Sequence, residues 1–374
     1  MRSTMPVLDT VYADLRHVPA VQALDPLGAD ALCRELPAMN RRADIDAVVA
    51  GLRALLPDVR ALSGFSVHDC LAAMRDLGFF LGSVRRHGPE PLPLVPEAVP
   101  VLRELGGRTA MVPRDTVLHY TVWNPTGPRQ RRYTDNAQED ALQESVRMVF
   151  ADIHHGIEIC AGLFEMAPED PAFPVRMNAF ADRLASLVDS MRYTLDNVAP
   201  RFFAEGLRPY LESVRIEEDD YLGPAAAQLP LWLIDEALWS ADQPDPEYEK
   251  FWRALVPYGL PRWRDLHARW DGRPSIVTRL VAAASREPQR AVLRDGAAAT
   301  VRALRTVVTF RGRHLGIARQ VYETQTREFA TGSGGGSVEL LRDIMDLTKL
   351  NARLVHGSLA EPAGPVPPPR EPAP

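Results

Sequence analysis

Residues 301–322 read VRALRTVVTFRGRHLGIARQVY, and the spacing of their apolar side chains decides the fold. Counted from His314, the residues Val307, Phe310, Ile317, Ala318 and Val321 stand at −7, −4, +3, +4 and +7. That set shares one face of an α-helix and would be scattered over both faces of a strand. The quoted run belongs to a longer helical stretch, 296–329, and the same three-and-four spacing recurs over 28–57, 67–84, 137–165, 175–198, 229–240 and 275–285. Alternation with a period of two is rare. Thr116–Trp123 (TVLHYTVW) is rich in β-formers and is the best strand candidate, with an extended segment or a helix end as the alternatives. The expected class is all-α.

A chain of 374 residues has room for one or two domains and a sizeable core. With 46% hydrophobic and 25% charged residues it has the composition of a folded globular protein. Its 49 acidic and 43 basic residues leave a net charge of −6, which argues against a general nucleic-acid binder, since phosphate binding wants a basic face. Only Lys250 and Lys349 are lysines, so a lysine Schiff base or phosphate grip has few candidates. Cys33, Cys70 and Cys160 form no CxxC pair. A disulfide framework or thiolate zinc site is therefore not expected, and a reducing, cytoplasmic location is. The N-terminus has no continuous apolar core of a signal peptide, and no run of about 18 apolar residues predicts a membrane span.

Connections are marked by proline. Residues 88–100 (GPEPLPLVPEAVP) carry five prolines, and 124–136 (NPTGPRQRRYTDN) are polar with two more. The second stretch divides the chain into a smaller N-terminal unit, 1–123, and a larger C-terminal unit, 124–357. Residues 358–374 hold seven prolines and little that packs, so a disordered or polyproline-II tail is expected.

Several residues carry chemistry in principle. His314 projects from an apolar stripe, either as a core histidine satisfied by a carbonyl or as the axial ligand of a buried haem iron. The latter needs one neutral imidazole in an apolar slot, with arginines such as Arg311 and Arg313 for the propionates. Thr331–Ser337 (TGSGGGS) is either a flexible connection or a loop whose bare backbone closes over a ligand. It is no phosphate-binding P-loop, because it lacks the Lys-Ser/Thr ending. Adjacent His154 and His155 point about 100° apart on a helix and cannot share one metal well, although Glu158 falls four residues after His154. No HExxH, GxSxG or strand-linked GxGxxG occurs. Tyr221–Gln228 (YLGPAAAQ) is a run of small residues that admits either close helix packing or a flat ligand. Arg208, after two phenylalanines, is either a carboxylate clamp or a surface arginine.

Read in order, HYTVWNP, FFAEGLRPYL, YLGPAAAQLPL, LRTVVTFRGRHLGIARQVYE and TGSGGGS, together with DLGFFLGSVRRHG, resemble monodechloroaminopyrrolnitrin synthase, a haem enzyme of the indoleamine/tryptophan 2,3-dioxygenase superfamily. The likeness runs from Asp25 to near His356. It implies an all-α fold with a small N-terminal helical domain on a larger helical haem domain. It also implies haem b, with O₂ as co-substrate and an external reductant, acting on tryptophan or 7-chlorotryptophan to give an aminophenylpyrrole. By the same resemblance His314 matches the proximal iron ligand, with Arg311 and Ala226 beside the haem. Tyr322 and Ser333 match positions near the substrate, Arg208 matches the arginine that holds its carboxylate, Phe203 matches an aromatic of the distal pocket, and Gly334 belongs to the covering loop. Two other chemistries fit the same pattern: an indole-ring dioxygenase, and an aromatic amino-acid monooxygenase. A haem-binding protein without turnover is the alternative from another class. In every catalytic reading the partner is a small molecule, with no nucleic acid and no membrane.

Overall fold

The computed structural model describes residues 18–243, 245–324 and 336–359, with side chains left out at 322–324. It is built from helices: α1 (Val18–Ala23), α2 (Asp30–Arg41), α3 (Ile45–Leu55), α4 (Val67–Arg86), α5 (Ala98–Thr109), α6 (Ala137–Glu165), α7 (Ala172–Asn197), α8 (Pro246–Leu255), α9 (Pro261–Trp270), α10 (Ile276–Arg286), α11 (Ala291–Thr324) and α12 (Val338–Gly357). Shorter helical turns join them. The β structure among the described residues is one hairpin, Val214–Ile216 paired antiparallel with Asp219–Tyr221. The all-α expectation holds. No described helix is long and apolar enough to cross a membrane.

The four longest helices after Ala137 form a continuous layer in the order α6, α7, α11, α12. Helices α6 and α7 run antiparallel, for Ser190 Oγ donates to the Ser145 carbonyl (2.7 Å) while Arg183 pairs with Asp152 (2.9 Å). Arg302 of α11 reaches Asp182 of α7 at 2.7 Å. Several helices start where a short polar side chain accepts from a free backbone N–H: Asn136 before α6, Ser275 before α10, Ser337 before α12 and Asp245 before α8.

Helix α4 is apolar over most of its surface, and every residue from Cys70 to Val84 is buried. It separates two hydrophobic clusters. One gathers α2, α3 and α5 with Tyr120, Tyr133 and the hairpin; the other holds the interior of α6–α11 with Trp123 and Trp232. Its glycines permit the close fit. A Cβ on Gly78 would lie 2.2 Å from the Asp115 side chain, and one on Gly82 would lie 2.6 Å from both Tyr133 Oη and the Tyr210 carbonyl.

Three local readings change. The stretch 28–57 is two helices, because the chain turns at Arg42–Asp44. Ala43 takes a left-handed φ of 52° there, and Asp44 Oδ1 accepts from Ala47 N at 3.1 Å to start α3. Thr116–Trp123 is no strand: Val117–Tyr120 coils into one helical turn, with Thr116 N donating to His119 Nδ1 (3.0 Å) and Leu118 N donating to Thr116 Oγ1 (3.3 Å). That local side-chain bonding outweighs β-propensity. The proline stretch 88–100 contains the turn Pro91–Leu94 and the first residues of α5, where Pro100 sits in the first turn and forfeits no helical bond.

At the start of α6, Glu139 is fully buried and accepts from Tyr133 N (2.8 Å), Thr134 N (2.7 Å), Thr134 Oγ1 (2.7 Å) and Tyr120 Oη (3.2 Å). Burial outweighs those bonds and pushes its carboxyl up to about 7. A raised folded-state pKa gives stability that is complete below the unfolded value, near 4.3, and is lost as pH rises through about 7. Urea midpoints measured across that window are expected to fall with pH in the wild type, and Glu139→Gln is expected to flatten the slope.

Candidate functional site

The stripe around His314 is real, and it is unevenly covered. Helix α11 packs between α7, α10 and α12, and its early core residues Ala303, Leu304 and Val307 are sealed. Val321, at the far end of the same face, is again 5% exposed. Between them Phe310, His314, Ile317 and Ala318 are only half-covered. A row of apolar side chains around one imidazole, closed above and below and open in the middle, is what a flat apolar ligand would complete.

The imidazole itself is suited to a metal. Burial, and next the Arg311 guanidinium, hold its pKa below the ordinary histidine value, so it is neutral with a lone pair to give. It lies against the Phe310 ring, with centroids 6.0 Å apart and planes at 22°, and no described residue hydrogen-bonds it. A core histidine satisfied by a carbonyl, the alternative at the level of sequence, is not what is found. These residues therefore fit a haem: ligand, apolar walls and an open face are all present on one helix.

Arg311 is engaged elsewhere. Buried to 8% exposure, it donates through Nη2 to Asp235 Oδ2 and through Nη1 to Thr348 Oγ1 on α12. Asp235 is 1% exposed and also accepts from Tyr248 Oη and from Trp239 Nε1 (3.1 Å). Sequence reading missed this set. The available signal was an acidic pair inside the apolar run LPLWLIDEALW, since a charge there must find a buried partner. Arg313 is half-buried and donates to the Val188 carbonyl at 3.0 Å.

Arg208 lies in a second region that touches α11. It comes directly after a π-helical turn, Phe202–Leu207, which packs on α11 and carries Phe203, a half-buried side chain at the edge of the Tyr133–Tyr210 cluster. Such π turns often mark functional sites, because the extra residue re-aims the side chains beyond the turn. Arg208 is 4% exposed, which removes the surface-arginine alternative. Burial pushes the neighbouring Glu212 carboxyl up, against the pull of Arg208, Arg85 and Arg114. Two of the three guanidiniums already face carboxylates of their own, Arg85 with Glu90 at 3.4 Å and Arg114 with Asp115 at 2.9 Å.

The loop 221–228 is pinned by Gln228, which accepts from Val117 N (2.7 Å) and donates to the Gly223 carbonyl (2.9 Å). Gly223 serves packing, since a Cβ there would come within 2.3 Å of the Leu211 carbonyl oxygen. Ala226 is exposed on the same loop. His154 is buried beside Phe150, while His155 is exposed; Glu158 pairs with Arg262 at 3.0 Å. Tyr322 belongs to α11, but its side chain, like Ser333 and Gly334, lies outside the described residues.

The family model for monodechloroaminopyrrolnitrin synthase PrnB matches residues 18–358, nearly the whole chain. The family's chemistry is a haem-dependent oxidative rearrangement of a tryptophan-derived small molecule in pyrrolnitrin biosynthesis, with O₂ consumed. On the extent of that match, and with an all-α fold, the chain belongs to the monodechloroaminopyrrolnitrin synthase family.

Proposed function

We propose that His314 is the ligand of a haem b lying on the half-covered stripe of α11, and that the substrate is tryptophan or 7-chlorotryptophan, rearranged to an aminophenylpyrrole with electrons from an external reductant. The observation that carries this reading is a neutral imidazole, without a hydrogen-bond partner among the described residues, at the centre of an apolar face that the protein leaves half-open. When bound, the haem supplies the site at which O₂ is activated. The protein supplies the rest. Phe310, Ile317 and Ala318 exclude water and favour a flat aromatic ring. Arg208 holds the substrate carboxylate and so fixes which edge of the indole faces the reacting oxygen. Phe203 and the exposed Ala226 edge belong, in this reading, to the walls of the same pocket. Substrate contact by Tyr322, whose side chain lies outside the described residues, and by Ser333 and Gly334, which lie outside them altogether, is assigned from the family resemblance alone. Residues 1–123 act as a cover over the catalytic unit 124–357.

Because Arg311 is committed to Asp235 and Thr348, we assign it to holding the ligand helix and not to gripping a propionate. Arg208→Ala is expected to lower kcat/KM for tryptophan-type substrates by about 10- to 100-fold, the worth of a charged hydrogen bond of about 1.5–3 kcal/mol. Turnover of the decarboxylated analogue tryptamine should be unchanged. An equal loss on both compounds removes Arg208 from carboxylate binding.

Mass spectrometry of products from tryptophan and 7-chlorotryptophan, with reductant and O₂, tests the reaction. Loss of the carboxyl group with pyrrole formation is expected. Addition of two oxygen atoms would make the protein an indole dioxygenase, addition of one would make it a monooxygenase, and no turnover would leave a haem-binding protein.

A further inference from the structure

We infer that Tyr210, Tyr133 and Tyr120 form an oxidisable ladder: an oxidising equivalent that reaches Tyr210 passes through Tyr133 and comes to rest on Tyr120, whose phenolic proton moves to Glu139. The ladder drains oxidant left unspent at the active site. That purpose rests on the haem lying on α11, because the π turn Phe202–Leu207 joins the ladder to that helix. The oxidation of Tyr120 does not depend on it.

Distant segments bring the rings together. Tyr120 ends the helical turn Val117–Tyr120, Tyr133 lies in the polar stretch before α6, and Tyr210 lies in the turn Arg208–Leu211. Tyr133 is the middle rung. Its ring centroid is 4.7 Å from that of Tyr210, with planes at 22°, and 5.8 Å from that of Tyr120, with planes at 27°. Both separations are those of rings in contact. Phe79 of α4 packs beside the stack, 4.7 Å from Tyr133 and 5.6 Å from Tyr120. All four residues are at most 6% exposed.

The surroundings of the hydroxyls set the direction. Taking one electron from a phenol makes its O–H strongly acidic, so a buried tyrosine stays oxidised only where a base takes the proton. Tyr133 Oη is buried with no hydrogen-bond partner among the described residues. At Tyr210 the Arg86 guanidinium carbon lies 5.7 Å from the ring centroid, and a cation there repels the positive charge of an oxidised ring. Of the three, Tyr120 has the carboxylate: its Oη donates to Glu139 Oε1 at 3.2 Å. The Tyr133 and Thr134 amides donate to the same carboxylate and hold it in place. The step balances. The Tyr120 O–H bond breaks and an O–H bond forms on Glu139. The electron passes through Tyr133 and Tyr210 to the oxidant, which is reduced by one electron. A small reductant of the ascorbate class reverses the step, and the proton returns from Glu139 to Tyr120.

The test is electron paramagnetic resonance of the haem-loaded protein, frozen after stoichiometric hydrogen peroxide at about pH 8, above the value of about 7 to which burial raises the Glu139 carboxyl. A tyrosyl radical is expected in the wild type. Tyr120→Phe should lose it, and Glu139→Gln, which takes away the proton acceptor, should weaken it. Tyr133→Phe removes a hydroxyl without a described partner and leaves a ring much harder to oxidise. It should lower the radical yield and bleach its haem faster over repeated additions of peroxide. The protein as purified is also oxidised from solution, by a photo-excited ruthenium complex with a sacrificial electron acceptor, and the pattern of radical yields should repeat. Absence of a tyrosyl radical under both oxidants overturns the proposal, as do equal yields in wild type and Tyr120→Phe. Equal bleaching in wild type and Tyr133→Phe overturns the protective purpose. If Glu139→Gln does not fold, Tyr120→Phe decides, since it leaves the backbone bonds to Glu139 in place. Failure of the haem placement is separable, because it appears as a tyrosyl radical under the ruthenium oxidant and none under peroxide.

Discussion

His314→Ala is expected to abolish stable haem binding while leaving the helical fold in place. In the open middle of α11 the imidazole is the one group that offers iron a lone pair; Phe310, Ile317 and Ala318 offer only apolar contact. Removing it leaves the haem with its hydrophobic contacts but no bond to the metal. Reconstituted wild-type protein should show a Soret band at one haem per chain, and the variant should release its haem on a desalting column. The fold should survive, because the side chain hydrogen-bonds no described residue and is only partly buried. A second measurement separates lost ligation from lost folding. Haem at 1,000 times its Kd stabilises the state that binds it by about 4.1 kcal/mol, so wild type should gain a haem-dependent rise in Tm that the variant lacks. His314→Gly with added imidazole should restore the Soret band, since the free base can enter the space left on the open face. A variant with unchanged Soret position and stoichiometry would mean that another residue holds the iron.

The helical framework was legible in the sequence because long amphipathic helices write their period plainly. Helices α4, α6, α7, α10 and α11 lie where the three-and-four spacing puts them, to within a few residues. What the spacing could not reveal is local chemistry that competes with it. The turn between α2 and α3 depends on Asp44 and a left-handed Ala43, and the helical turn at Thr116 depends on two side-chain bonds to the backbone. Both are decided by hydrogen bonds that apolar periodicity does not encode. At the site, His314 was findable because a lone imidazole interrupts an apolar stripe. Asp235 was harder to see, because its partners lie 13, 76 and, through Arg311, 113 residues away in the chain. Only the cost of a buried, unpaired charge hinted that such partners exist. Arg208 gained weight from its burial, which the sequence left open. Its neighbours Arg85 and Arg114 come from distant segments.

The largest expected loss of stability is at Asp76, on the helix that separates the two hydrophobic clusters. Arg75 and Asp76 are both 0% exposed, and Arg131 is 1% exposed. Arg75 donates through Nε (2.7 Å) and Nη2 (3.0 Å) to Asp76, and through its remaining hydrogens to the carbonyls of Val21 (3.2 Å), Leu24 (3.1 Å) and Trp123 (3.1 Å). Arg131 grips the same carboxylate through Nε at 2.9 Å and Nη2 at 3.3 Å. One carboxylate therefore compensates two buried guanidiniums and, through Arg75, fastens α1 and the Trp123 segment to α4. Asp76→Asn keeps the shape but leaves both cations without a buried anion between them. Removing one partner of a buried ion pair costs about 3–5 kcal/mol, against a total of about 5–15 kcal/mol for a typical domain. The urea midpoint should fall steeply with little change in slope. Asp30 also pairs with Arg131, at 2.7 Å, but its side chain is 34% exposed, so Asp30→Ala should cost no more than about 1 kcal/mol. The decisive comparison is the charge-free triple variant Arg75→Met/Asp76→Leu/Arg131→Met. If the loss in Asp76→Asn comes from stranded charge, the triple variant recovers much of the midpoint despite forfeiting every bond in the network. If it comes from the lost hydrogen bonds that clamp α1 and Trp123, the triple variant is the less stable of the two.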